Sequence, residues 1–180
     1  MKKLIAILLA VSMLFALSAC NSNSIVGKWQ WEITMDGEMM GFEDFDGELT
    51  MIMVFEFDKD GNYFISVDKD ALAESVEGFE AALVEYIVQD VGENSRKYAE
   101  NLVAQMNLSE NLAGQDMEEE GEYEIDGDYL IMTPDDEDEE EEEYEFELDG
   151  NKLTLIGESE AFASMLEMLG EDDIVLKRVK

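Results

Sequence analysis

The sequence predicts a mostly β fold, an antiparallel up-and-down barrel of about eight short strands with an inserted helical hairpin. Three observations indicate it. Several segments alternate apolar and polar side chains, two later segments share one hairpin design, and a stretch with helical spacing separates the first strands from the rest. Strands with one apolar face bury it by curling into a barrel, and closure of the barrel also removes exposed sheet edges.

The first three strands are predicted from alternation with a period of two. Residues 27–36 and 47–57 each put apolar side chains on one face. Ile52 and Val54 are also apolar on the opposite face of the second strand, so this face needs a cover. Residues 63–67 form the third strand, and residues 47–67 read as a hairpin. The inward set is Trp29, Trp31, Ile33, Met35, Leu49, Met51, Met53, Phe55 and Phe57.

Two further hairpins are predicted at residues 123–132 and 146–155, around Asp-Gly pairs at 126–127 and 149–150. Asp-Gly supplies the positive φ angles of a type I′ turn. A last strand at residues 174–179 completes the barrel.

Residues 70–112 are predicted to form the helical insert. Its first helix ends at Gly92, and Asn94 or Ser95 caps the second. The outward Ile52 and Val54 are the candidate partner, with the insert on the barrel wall or across its mouth. A short helix is expected at 158–169. The apolar positions are Leu72, Val76, Phe79, Leu83, Tyr86 or Ile87, and Val91, then Tyr98, Leu102, Met106 and Leu112.

Residues 1–19 have the layout of a secretory signal, a short basic start, an apolar run and small residues at its end. The sequence Leu17-Ser18-Ala19-Cys20 resembles the lipobox of bacterial lipoproteins. This resemblance implies cleavage before Cys20 and acylation of its thiol, with palmitate or similar chains. Residues 20–24 are then a lipidated cysteine and linker, and residues 25–180 form the domain. The expected location is the extracytoplasmic face of the cell membrane.

The chain is strongly acidic, with 11 Lys and Arg against 46 Asp and Glu, a net charge of −35. Loss of Lys2 and Lys3 with the signal leaves 9 against 46, a net charge of −37. Nucleic acids and anionic lipid surfaces repel such a chain, so no nucleic-acid partner is expected. Lipid on Cys20 must hold the protein at the membrane.

Gly27-Lys28-Trp29, the stretch "FEFDKDGNYFI" at 55–65 and the closing "IVLKRVK" at 174–180 resemble lipocalin-like bacterial lipoproteins. The resemblance covers about residues 25–67 and 118–180. It implies a barrel in which Trp29 plugs the closed end, Gly27 precedes it, and Lys177 or Arg178 covers the ring by a cation-π contact. The helical insert has no equivalent in the standard fold, and no Thr-Asp-Tyr motif occurs.

Candidate ligand contacts come from the barrel interior and from the loop at 36–47, which is unusually rich in Met and Phe. One interpretation of this loop is an adaptable lid over an apolar ligand. The other is a fixed cap on a filled core. The candidate ligand-binding residues are Trp31, Met39, Met40, Phe42, Met53 and Phe55.

The acidic stretch 134–143, with nine consecutive acids at 135–143, is interpreted as a solvated loop, with weak Ca²⁺ binding as the alternative. Asp58-Lys59-Asp60-Gly61-Asn62 is interpreted as a turn rather than a Ca²⁺ loop. The sequence has no His, and Cys20 is its only Cys. We therefore expect no enzyme, no cofactor and no metal site.

Two hypotheses about function remain. The chain is a lipid-anchored binding module for a small apolar ligand, or it is an envelope protein with a filled barrel that binds a protein partner through the acidic surface and the helical insert.

Overall fold

The computed structural model describes residues 24–42, 44–113, 118–136, 140–157 and 162–179. The predicted signal, Cys20 and residues 21–23 lie outside these ranges, as do residues 137–139 of the acidic stretch. Within the described ranges the strands are β1 (Gly27–Asp36), β2 (Glu48–Phe57), β3 (Asn62–Val67), β4 (Glu119–Asp126), β5 (Tyr129–Pro134), β6 (Glu142–Asp149), β7 (Lys152–Ile156) and β8 (Asp173–Arg178). The α-helices are α1 (Lys69–Val91), α2 (Arg96–Met106), α3 (Leu108–Ala113) and α4 (Ala163–Leu169), and a 3₁₀ helix (Glu93–Ser95) joins α1 to α2.

The eight strands form one closed barrel. Each strand pairs antiparallel with the next along the chain, and β8 returns to pair with β1. The predicted up-and-down barrel with an inserted helical region is therefore confirmed.

The alternation read from the sequence matches the two faces of the wall. The inward residues of β1 and β2 from Trp29 to Phe57 are buried, apart from Met35, which is half-buried. Each pairs with an inward neighbour, for example Trp31 with Met53. On the outer face Val54 is buried and Ile52 is half-buried, as the prediction of a covered face requires.

The two ends of the barrel differ in their connections. One end, here called the turn end, carries the start of β1 and the short turns at 58–61, 127–128 and 150–151. The opposite end, called the loop end, carries the loop at 37–47, the helical insert, the acidic stretch and the connection from β7 to β8 that contains α4.

The two Asp-Gly hairpins form, but their turns are not of the predicted type. Asp126 pairs with Tyr129, so the turn residues are Gly127 and Asp128. Gly127 has a φ of 66°, whereas the φ of Asp128 is not positive. Glycine at the first turn position is the signature of a type II′ turn, so the type I′ prediction was wrong because the aspartate ends the strand. The second hairpin repeats this geometry with Gly150, whose φ is 60°, and Asn151.

Helix α1 lies at the loop end, beside the part of β2 that extends beyond β3. The amide of Asp68 donates to Ile52 O (2.9 Å), and Thr50 N donates to Ser75 Oγ (2.7 Å). The Asp68 carboxylate caps the helix by accepting from Ala71 N. The helix ends at Gly92, as predicted. Its buried residues Leu72, Val76, Phe79 and Leu83 belong to the same hydrophobic cluster as the barrel interior.

The predicted buried faces of the first two helices were wrong at Val91, Tyr98 and Leu102, whereas Met106 packs against the core cluster as predicted. Val91 is 61% exposed. Tyr98 is 63% exposed and Leu102 is 40% exposed, while Ala99 and Val103 are buried. The face is set by packing on α1, to which Arg96 ties α2 through two hydrogen bonds to the Glu85 carboxylate (2.5 and 3.0 Å). These bonds hold the pKa of Glu85 below its ordinary value.

Two details of the helix ends also differ from the predictions. Ser95 precedes α2 but makes no side-chain cap, because its hydroxyl donates back to Gly92 O. Leu112 lies in the separate helix α3, since α2 ends at Asn107 with a left-handed φ of 48°. Among the described residues of the predicted helix 158–169, α4 spans Ala163–Leu169. No helix in the described ranges is long and apolar enough to cross a membrane.

At the turn end, Trp29 and Arg178 close the core. Trp29 is fully buried, and its indole donates to Ile25 O (2.6 Å). The Arg178 guanidinium lies 4.1 Å from the centroid of the Trp29 ring and donates to Val26 O and Ser24 O. A Cβ on Gly27 would approach the guanidinium to 2.7 Å, and Gly27 has a φ of 137°, so glycine is required there. Of the two predicted covers, Arg178 makes this contact.

Replacing Arg178 with Met should lower the free energy of unfolding by about 2–3 kcal/mol, because the cation-π contact and the hydrogen bonds to two carbonyls are lost. The measurement is urea unfolding followed by tryptophan fluorescence. Lys177→Met is the matched control, since Lys177 is exposed, and should change stability by less than about 0.5 kcal/mol. Equal effects of the two changes would contradict the assigned role of Arg178.

Candidate ligand site at the loop end of the barrel

The interior part of the candidate site is built on β1 and β2. Trp31 pairs with Met53, and Phe55 lies two residues further along β2. All three side chains are buried and belong to the main core cluster. The period of two is what sends them inward, as the sequence predicted.

Phe162 contacts this interior group from the connection between β7 and β8. Its ring lies 5.7 Å from the Trp31 ring, edge to face, and 6.1 Å from the Phe55 ring. Phe162 is itself buried and directly precedes α4, whose Leu166 is also buried. A side chain from a connection, rather than from a strand, therefore packs on two of the predicted ligand contacts.

The sequence reasoning did not select Phe162 as a site residue. It identified an apolar position in a short helix, but helical spacing does not reveal what the helix covers. Barrel topology could have indicated Phe162. The β7–β8 connection must lie at the same end of the barrel as the Met- and Phe-rich loop, so an apolar residue in this connection is a candidate site residue.

The loop from 37 to 47 packs on α1 through aromatic contacts. The ring of Phe45 lies 5.3 Å from Phe79, 5.2 Å from Tyr86 and 5.8 Å from Phe42. Phe45 is buried. Two of the three glycines of the loop, Gly37 and Gly47, make room for Phe45, because a Cβ on either would lie within 2.5 Å of its atoms. These contacts favour the fixed-cap interpretation for this part of the loop.

The remaining loop candidates divide by exposure. Met40 and Phe42 are half-buried and pack against the core cluster, whereas Met39 is 42% exposed. The loop is held by Met39 N, which donates to the Asp36 carboxylate (2.8 Å), and by Phe42 N, which donates to Gly37 O (2.8 Å). The structure therefore separates the six candidates into an interior group (Trp31, Met53, Phe55) and a loop group (Met39, Met40, Phe42).

The sequence reasoning missed two acidic groups on the inner face. Glu119 pairs with the inward Ile65, and Glu142 pairs with the inward Met132, so both take inward positions near the loop end. Both are half-buried. The phenol of Tyr63 donates to Glu119 and that of Tyr144 to Glu142. The inner wall on the side of β4 to β6 is thus more polar than the wall formed by β1 and β2.

Both ends of the predicted loop 134–143 belong to strands. Pro134 lies in β5, and Glu142 and Glu143 lie in β6, so the loop is shorter than predicted. The described part of the chain contains no group of three or more His, Cys, Asp or Glu arranged to hold a metal ion. Asp58 forms the predicted turn, with its carboxylate accepting from Asp60 N, Asn62 N and Asn62 Nδ2.

Comparison with known proteins supports the same architecture. A model of the lipocalin-like domain family matches residues 83–155, from the second half of α1 to β7. The matched segment includes part of the helical insert as well as strands β4 to β7. No curated protein matches the chain at a significant level. In the sequence of this segment and in its closed eight-stranded barrel, the chain is similar to lipocalin-like domains.

Replacing Phe45 with Ala should cost about 3 kcal/mol of unfolding free energy, because a buried ring that packs on α1 is removed and leaves a cavity. Urea unfolding by circular dichroism measures it. Met39→Ala, in the same loop but exposed, should change stability by less than about 0.5 kcal/mol. A mobile lid would give a small effect for both changes.

Proposed function

We propose that this chain is a membrane-anchored extracytoplasmic lipoprotein whose lipocalin-like domain binds a small apolar ligand inside the barrel, entered from the loop end. The observation that carries the proposal is the contact of Phe162 with Trp31 and Phe55. Phe162 belongs to a connection outside the sheet, so its ring can leave without breaking a pair of strands. An apolar ligand would then take the place of this ring.

The chemistry of the inner wall supports an apolar body for the ligand. Trp31, Met53 and Phe55 offer an aromatic and thioether surface, and Met side chains adapt to irregular shapes. The proposal is of a binding protein, not an enzyme, since the sequence has no His and its one Cys is assigned to lipid.

The proposed anchor suits access to the loop end. Ser24, where the described chain begins, lies at the turn end and its carbonyl accepts from Arg178. Cys20 precedes it by four residues, which span at most about 14 Å when extended. A lipid on Cys20 would place the turn end next to the membrane and leave the loop end exposed to solvent.

We expect residues 21–180, produced in cells, to carry an apolar molecule detectable by native mass spectrometry, and the molecule to be lost when Trp31 and Phe55 become Ala. Phe162→Ala should have the opposite effect. It should tighten binding of the neutral fluorophore N-phenyl-1-naphthylamine by about tenfold, because the ligand no longer displaces a packed ring.

Phe45→Ala is the matched control, because it removes the same side chain from a buried position at the loop end that contacts α1 instead of Trp31. Tighter binding in both variants would mean that the core has merely loosened. An empty wild-type barrel that binds no fluorophore, with or without Phe162, would overturn the ligand proposal.

The second candidate function is protein binding by an envelope module with a filled barrel. Tyr98 and Leu102 favour it, since they lie one helical turn apart on α2 and are both exposed. Its test is a pull-down from envelope extract with Tyr98→Ser combined with Leu102→Ser. Deleting residues 70–112 is unsuitable, because it would also remove Leu72, Val76, Phe79 and Leu83 from the core.

Labelled palmitate should enter the full-length protein in a bacterial host and should be absent from Cys20→Ala. Each buried CH₂ contributes about 0.8 kcal/mol to membrane binding, so two or three chains on one residue anchor durably. Intact mass of the purified protein should show a mature chain that begins at residue 20. Label in the variant, or a different first residue, would contradict the proposed anchor.

A further inference from the structure

A groove of about 530 Å³ opens on the outside of the barrel near the turn end. Its four strand positions face outward, whereas Trp31, Met53 and Phe55 face the core, so the groove is a different surface from the proposed ligand site. Its lining spans the first four strands, with Lys28 from β1, Glu56 from β2, Phe64 from β3 and Glu120 from β4.

These four side chains form one row across the sheet. Lys28 pairs with Glu56, Glu56 with Phe64, and Phe64 with Glu120. Each is an outward position, because the neighbours Phe57 and Tyr63 point into the core. The row therefore places an aromatic ring between two carboxylates on a solvent-facing surface.

Within the row, Glu56 already binds a cation. The Lys28 ammonium lies 2.6 Å from its carboxylate, with both side chains about half exposed. Phe64 is 36% exposed, which leaves part of its ring open to a second group. In the described part of the chain, the exposed Glu120 carboxylate makes no hydrogen bond or ion pair.

The end of the groove is fixed by the β2–β3 turn. The Asp58 carboxylate accepts two hydrogen bonds from Asn62 and one from Asp60 N, and these bonds, those from Asn62 first, lower its pKa. Tyr123 donates to Asp58 O (2.6 Å) and packs its ring edge to face on Phe57. The groove is thus built on a rigid part of the barrel.

We propose that this groove docks a basic protein segment by binding one of its arginine side chains over Phe64, between Glu56 and Glu120. A guanidinium stacks on an aromatic face and forms paired hydrogen bonds with a carboxylate. Charge complementarity specifies the partner, because a chain of net charge −35 attracts basic segments and repels acidic ones.

The test is an NMR titration of residues 21–180, which contain every strand and helix described above, with the peptide Gly-Arg-Gly-Arg-Gly. Binding should saturate and shift the amide signals of residues 28, 56, 64 and 120. Glu120→Gln and Phe64→Leu should each weaken binding about fivefold, as expected for one cation-π or charge-assisted contact. A peptide with citrulline in place of arginine should not bind.

Matched controls separate docking from general attraction to an acidic protein. Glu147→Gln removes the same charge from an exposed position on β6, and Tyr129→Leu removes an exposed aromatic ring from β5. Each should change affinity less than about twofold, because neither residue lines the groove. Equal weakening by Glu120→Gln and Glu147→Gln would overturn the proposal. Equally tight binding of spermidine would also overturn it, in favour of a free polyamine site.

Discussion

The seam between β8 and β1 is the constraint on which the barrel depends, because it is the one junction that no turn or connection of the chain joins. Its register contains two residue pairs, Trp29 with Arg178 and Gln30 with Lys177, supplemented by Val179 N donating to Lys28 O. Arg178 reinforces this short seam by covering the Trp29 ring and binding two carbonyls of the segment before β1. The contact joins the first and last parts of the domain, so the same side chain both holds the sheet closed and covers the core at the turn end.

With the turn end sealed, the long connections of the chain lie at the loop end. Short turns leave little room for additional structure at the turn end, whereas the loop end holds a long helix, an aromatic loop and a connection that inserts Phe162. A rigid sheet with long connections at one end is the usual arrangement for binding sites, since loops can change while the scaffold stays fixed. The polar pairs of Tyr63 with Glu119 and Tyr144 with Glu142 add to this end the hydrogen-bonding groups that an otherwise apolar interior lacks.

The sequence predicted what repeats along the chain and missed what depends on contact between distant segments. Alternation in β1 and β2 predicted the inward face from Trp29 to Phe57 because the strand period is a property of the backbone. The resemblance predicted a basic cover for Trp29 and left Lys177 and Arg178 open, and the structure selects Arg178. The predicted buried face of α2 was wrong at Tyr98 and Leu102, because these residues fit helical spacing as well as Ala99 and Val103 do, and packing on α1 decides between them. For the candidate site, Trp31, Met53 and Phe55 were predictable as interior residues, but the contact of Phe162 with two of them was not, since periodicity carries no information about which loop covers which strand.

Helix α1 also affects whether another chain can pair with an edge of the sheet. Strand β3 ends at Val67, while β2 continues from Met53 back to Glu48 with one edge that pairs with none of the described strands. An open edge of this kind is a template on which another chain can add a strand. Here the first turns of α1 shield it, with Asp68 and Ser75 taking up the backbone groups of Ile52 and Thr50. The insert therefore covers this part of the β2 edge, so a second copy of the chain cannot add a strand there.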